Sequence, residues 1–124
     1  MSLVDIEHKL YAADPTLRLY ETRFTLNIAA MRLLGIDEQS FRIFIRIDKQ
    51  EAISGRFRLY IARSNKSTGY AVRGRGKRGL VNSVTLCKKL AEMLNGCGAY
   101  RICEEVSKQE DGMTWYEIFF RKYD

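Results

Sequence analysis

The chain has 124 residues, 46% apolar and 29% charged, a composition that suits one small folded domain and excludes a disordered tail. Twenty-one Lys+Arg against 15 Asp+Glu give a formal net charge of +6, which favours a polyanionic partner, nucleic acid first, over an acidic small substrate. No apolar run approaches the ~18–20 residues of a membrane span, and the opening MSLVDIEHKL lacks a signal peptide's layout, so a cytoplasmic protein off the membrane is expected.

Residues 1–15 read as an N-terminal segment, with 3–13 ended by the break at Asp14-Pro15. Residues 16–26 look extended, with a tight bend near Glu21. Asn27 is a good N-cap for the short helix IAAMRLL, which stops at Gly35. Two turns of helix cannot stand alone, so this one must dock. Residues 41–48 alternate, with Phe41, Ile43, Ile45 and Ile47 on one face, and predict a strand with one buried side. A turn at 49–55 leads to a second alternating strand, 56–63, with Phe57, Leu59 and Ile61 inward. A strand at 69–73 precedes a Gly/Arg loop, 74–79. Asn82 or Ser83 caps the best helix, 83–95, and Gly96 and Gly98 end it. Strands at 99–106 and 114–122 follow, joined by a polar turn.

The two halves of the chain resemble each other. A shift of 59 lays residues 41–63 on 100–122, matching Arg42 with Arg101, Ile43 with Ile102 and one Lys-Gln-Glu run with the other. Upstream the shift is 55, and Arg23 meets Arg78 and Asn27 meets Asn82 just before each helix. Each half then reads strand–helix–strand–strand, over about 16–63 and 68–122. Neither can bury its own sheet face, so both are expected to pack about an internal pseudo-two-fold axis within one compact domain, 16–124.

Catalytic chemistry finds little support, and no enzyme is expected. His8 is the lone histidine, so no Ser/His/Asp or Cys/His set can be assembled. Cys87, Cys97 and Cys103 lack the C-x-x-C spacing of zinc sites and read as three buried free thiols. Neither a metal nor a cofactor is called for. Gly74-x-Gly76-x-x-Gly79 matches a dinucleotide fingerprint, but without the parallel strand–helix–strand unit that the fingerprint needs. The same loop reads as a cationic finger, in which Arg73, Arg75, Lys77 and Arg78 alternate with glycines and approach phosphate closely. Charge distribution agrees. Residues 42–89 hold 13 basic and two acidic residues, +11, while the remainder is −5. The row Arg42, Arg46, Arg56 and Arg58 suits either solvent or phosphate.

The stretch Arg23-Phe24-Thr25-Leu26-Asn27-Ile28-Ala29-Ala30-Met31-Arg32-Leu33-Leu34-Gly35-Ile36 resembles the signature of AbrB/SpoVT-type swapped-hairpin DNA-binding domains. Asn27 stands where that family usually has proline. The resemblance implies interlaced strand–helix–strand–strand units, with Arg23 and Arg32 facing DNA. By the internal repeat, Arg78 takes the place of Arg23 and Cys87 that of Arg32.

Together these readings predict an α+β protein of two strand–helix–strand–strand halves, forming a mainly antiparallel barrel-like or interlaced sheet with two short helices. The expected activity is DNA binding of a bacterial or phage transcription-regulator kind, by a homodimer or an intrachain pseudo-dimer. The expected contacts are Arg23, Arg32, Arg73, Arg75, Lys77 and Arg78. The rival reading is an assembly module of a phage or mobile element that pairs with an acidic protein.

Overall fold

Nine antiparallel strands make one sheet in the computed structural model of the protein, which describes residues 14–35, 41–48, 58–75 and 78–122. In chain order they are β1 (Thr16–Leu19), β2 (Arg23–Leu26), β3 (Phe41–Asp48), β4 (Arg58–Arg63), β5 (Tyr70–Arg75), β6 (Arg78–Asn82), β7 (Gly98–Ile102), β8 (Lys108–Glu110) and β9 (Met113–Lys122). Helix α1 (Ile28–Leu33) follows β2, and α2 (Val84–Met93) follows β6. The spatial order β4-β3-β5-β6-β2-β1-β7-β9 closes where β4 pairs with β9, and β8 is a hairpin arm on β9.

The expected α+β class is therefore corrected: the protein is a mostly β, closed eight-stranded antiparallel barrel, with two small helices among the described residues. Helices of six and ten residues are too short to form a layer of their own. The expected strand order also missed three strands, one of them β8, which falls in the expected polar turn. Residues 16–26 are the β1–β2 hairpin, and of the loop expected over 74–79, Gly74 and Arg75 end β5 while Arg78 and Gly79 open β6. Each half is strand–strand–helix–strand–strand, and the extra strands let the sheet close. The strand expected over 99–106 ends at Ile102, so Glu104 and Glu105 lie outside any strand. The N-terminal segment 3–13, the turn at 49–55, Phe57 and Lys77 lie outside the described residues.

Alternation puts the core inside the barrel. Leu17, Leu19, Phe24, Leu26, Ile43 and Leu59 are all but inaccessible to solvent and face Tyr100, Ile102 and Ile118. Eight strands leave an interior just wide enough for such side chains to fill. The helices belong to the same core cluster through Ala30, Met31, Leu34, Leu86, Cys87 and Leu90. A Cβ placed on Gly79, an inward position opposite Leu26, would lie 2.5 Å from the Met31 sulfur, so α1 packs on the inner side. Because β2 and β6 run antiparallel, α1 leaves at one mouth of the barrel and α2 at the other.

Capping explains where the helices start. The Asn27 side chain accepts from the Ala30 amide at 2.9 Å and from the Thr16 amide at 3.0 Å, and it donates to the Asp14 carbonyl at 2.8 Å. Its own amide donates to Thr16 O at 3.1 Å, a bond that a proline at this place would forfeit. Ser83, not Asn82, caps α2 by accepting from the Leu86 amide.

The pairing pattern is two-fold. Exchanging β1, β2, β3 and β4 for β5, β6, β7 and β9 leaves every barrel contact in place. The registers follow the sequence offsets as well. A shift of 55 carries the partner pair Arg18–Thr25 onto Arg73–Leu80 and Leu19–Phe24 onto Gly74–Gly79. Shifts of 55 and 59 carry Phe41–Val72 onto Tyr100–Leu17. The offset grows by four between β2 and β3 because α2 is ten residues long and α1 six, about one helical turn. The β7–β9 pair departs from this pattern at a bulge between Tyr100 and Ile102.

A second, smaller core lies outside the barrel on β3, β4 and β9. Tyr60, Ala62, Met113 and Trp115 are buried there with Phe44 against them. Strand β3 thus has two partly covered faces rather than the single buried one expected, and Ile47 at its end is 37% exposed. The cover is the β8–β9 hairpin, whose tight Asp111-Gly112 turn holds both residues at positive φ.

Candidate nucleic-acid interface

An outward row crosses four strands of the barrel wall. Arg73 on β5 pairs with Leu80 on β6, Leu80 with Thr25 on β2, and Thr25 with Arg18 on β1. Their neighbours along each strand, Val72, Gly79, Val81, Phe24, Leu26, Leu17 and Leu19, are buried, so the pleat turns this row to the outside. Arg23 and Arg78 open β2 and β6 on the same outer side. Arg18, Arg23, Arg73 and Arg78 are all exposed. Strands β1, β2, β5 and β6 carry five arginines, the fifth being Arg75 opposite Arg78, and no acidic residue.

The sequence expectations meet this wall unevenly. Arg23, Arg73 and Arg78 come together on it, held by strands rather than by a flexible finger. Arg75 ends β5 beside them in the backbone pairing. Arg32 is exposed in the last turn of α1, at a barrel mouth rather than on the wall, where its charge suits the helix C-terminus. Cap-to-cap alignment of the helices places Lys88, exposed, opposite Arg32, and matches the buried Cys87 with the buried Met31; the expected equivalence of Cys87 with Arg32 is one residue out. Arg18 escaped the sequence reading because it lies in the acidic flank of the chain. The signal was there: Leu17-Arg18-Leu19 alternates like the strands further on.

Arg42, Arg46 and Arg63, away from this wall, are engaged. Arg46 lies 4.3 Å from the Trp115 ring centre and pairs with Glu110 and Asp111. Lys108 reaches Asp48 at 2.5 Å and stands 4.9 Å from the Tyr60 ring centre. Arg63 donates to the Gly35 carbonyl at the end of α1 at 2.6 Å and stacks on Phe41. Arg42 donates to the Gly69 carbonyl at 2.7 Å. On the arginine wall, by contrast, no described carboxylate forms an ion pair with Arg18, Arg23, Arg73 or Arg78. Arg23 has an aromatic neighbour, Tyr20, whose ring centre is 4.9 Å away. Three strand spacings separate Arg18 from Arg73, on the order of 14 Å. At that range two like charges in water repel by only about 0.3 kcal/mol before salt screening, so the fold tolerates the cluster.

The remaining chemistry is modest. Among the described residues no group of three His, Cys, Asp or Glu side chains could hold a metal ion. An open cleft of about 640 Å³ lies between the end of α1, residues 63–66 and the 112–114 turn, lined by Arg63, Lys66, Thr114 and Tyr116 among others. Burial pushes the Cys87 thiol and the Tyr100 phenol above their ordinary pKa values, and both belong to the core. The expectation of three buried thiols is corrected: Cys103 is half-buried and Cys97 exposed, since Cys97 falls in the turn after α2. No described helix is long and apolar enough to cross a membrane. Comparison with protein-family models, curated proteins and solved structures yields no match to this chain.

Proposed function

We propose that the protein binds nucleic acid through the outer wall of β1, β2, β6 and β5, with Arg18, Arg23, Arg73 and Arg78 on backbone phosphates. The observation that carries this reading is the sorting of arginines. Arg42, Arg46 and Arg63 are spent on carbonyls, carboxylates and rings, whereas these four point outward without an ion-pair partner among the described residues. Guanidinium groups suit phosphate because their N–H fork binds two oxygens at once. A strand-borne set is also pre-positioned, so less side-chain and loop entropy is lost on binding than with a flexible finger. The resemblance of residues 23–36 to a DNA-binding signature points to the same class of ligand. Arg32 and Lys88, both exposed, lie on the helices at the barrel mouths and add to the field.

Fluorescence anisotropy of a labelled duplex of roughly 20 base pairs, titrated at low and near-physiological salt, tests the proposal. Binding at low salt that weakens steeply with added salt, and weakens again in Arg73→Glu and Arg23→Glu, is the expected result. Absence of binding at low salt, with capture of an acidic protein instead, would replace this reading with the assembly-module one.

A further inference from the structure

We infer that one chain binds one duplex with the duplex dyad on its own pseudo-two-fold axis, so that the first half grips one phosphate backbone and the second half the other. This rests on the nucleic-acid reading above and narrows it to double-stranded nucleic acid. The axis can be located from the pairing alone. Thr25 and Leu80 are counterparts under the 55-residue offset and are also direct partners across β2 and β6, so the axis passes between them. It leaves the barrel at the centre of the arginine wall. Arg18 and Arg73 are then two-fold mates on either side of that point, and Arg23 and Arg78 are a second pair of mates.

The symmetry selects the ligand. A duplex has two antiparallel backbones related by dyads perpendicular to its axis, whatever its sequence, and a symmetric protein face meets both strands alike. A single strand has direction and no dyad, so it can satisfy one half of the wall only. Dimensions agree with a duplex. The Arg18–Arg73 separation, on the order of 14 Å at the backbone, compares with a major groove about 12 Å wide and is roughly twice the minor-groove width. Thr25 and Leu80, both half-buried, stand between the arms, facing the groove floor rather than a phosphate. The chain would do alone what two-fold DNA-binding proteins do as dimers.

The test measures affinity of the full chain for a labelled duplex of about 20 base pairs and for one of its strands, using wild type, R18E, R73E, R23E and R78E, with stoichiometry from a titration well above Kd. R18E and R73E are expected to lose affinity equally, within about three-fold, as are R23E and R78E, with the tolerance covering the Tyr20 contact that only Arg23 has. One chain per duplex and a duplex preference of at least ten-fold over the single strand complete the expected result. K66E makes the same charge change away from the wall and is expected to cost less than about two-fold. Glutamine versions of the four, checked for folding by circular dichroism, keep the comparison valid if a charge reversal unfolds the chain. Duplex binding with one mate mattering five-fold more than the other, or with two chains on one site, overturns the inference and leaves the nucleic-acid reading standing. Equal or tighter binding of the single strand overturns it too. No binding of either probe overturns both.

Discussion

Leu59 and Ile118 face each other across the β4–β9 pair that closes the barrel, both shut off from solvent, and they are counterparts under the 59-residue offset. The pseudo-two-fold axis therefore enters the barrel between them and leaves between Thr25 and Leu80. One end of the axis is apolar and internal. The other opens on the arginine wall.

The first prediction concerns the closing pair. Leu59→Ala and Ile118→Ala are each expected to cost about 2–5 kcal/mol, by lost burial plus the cavity left behind. Because the two side chains share that cavity, the double variant should fall short of the sum by at least 0.5 kcal/mol, as a coupled pair does. Urea unfolding of the four proteins measures this. Strict additivity would mean that the two side chains do not pack together.

Gly79 lies on the sheet directly against Met31 of α1. A Cβ there would lie 2.5 Å from the Met31 sulfur and 2.8 Å from Val72 Cγ1. Gly79→Ala is expected to destabilise by about 1–3 kcal/mol through overpacking. Adding Met31→Ala should recover part of that loss, whereas Met31→Ala alone, which opens a cavity, should not stabilise. Thermal melts of the three variants decide it.

Asn27 joins the start of β1 to the start of α1. Asn27→Ala is expected to cost about 1–2 kcal/mol, and Asn27→Ser less, since a serine hydroxyl still caps the helix. The local readout is hydrogen exchange: the Ala30 and Thr16 amides lose their acceptor and should exchange faster, while amides of β9 should not change.

Alkaline pH should weaken the fold. Burial raises the Cys87 and Tyr100 pKa values above 9.0 and 10.0, so the unfolded chain gives up these protons before the folded one does. Their stabilising contribution is whole below those ordinary values and disappears as pH rises through the raised ones. The Tyr100 hydroxyl donates to the Gly96 carbonyl at 2.5 Å, which a phenolate cannot do. Unfolding midpoints between about pH 8 and pH 10.5 should fall in wild type and fall less steeply in Tyr100→Phe.

Salt titration counts phosphates. Four contacts predict a slope of log affinity against log salt near −3.6, or about 150-fold between 50 and 200 mM salt. Each single arginine-to-glutamine change on the wall should make the slope shallower by about 0.9, and Arg46→Gln, already committed to Glu110 and Asp111, should leave it alone.

Much of the local structure was legible beforehand. Asn27 marked a helix start because its side chain can replace a missing backbone acceptor, and Ile43 was marked as core by simple alternation. The repeat offsets, read from a few identities such as Arg42 with Arg101, also describe which residues pair across the barrel. What stayed hidden depended on partners distant in the chain. Trp115 covers the outer face of β3 and makes Phe44 part of a second core, and nothing near residue 44 announces this. Residues 74–79 read as a loop because Gly is a poor strand former, yet β3 and β2 on either side hold β5 and β6 in place.

Residue order by itself determined strands such as β3 and β9, the caps, the doubled pattern and an excess of positive charge in the middle of the chain. Only the closed barrel decided which of those charges are available. Arg42, Arg46 and Arg63, in the basic middle, turn to carbonyls and carboxylates, whereas Arg18 and Arg23, from the acidic flank, join Arg73 and Arg78 on one open wall. The reason is physical: charge density along a chain is a sum, but the field that a polyanion meets depends on which charges share a face and lack a counter-charge beside them.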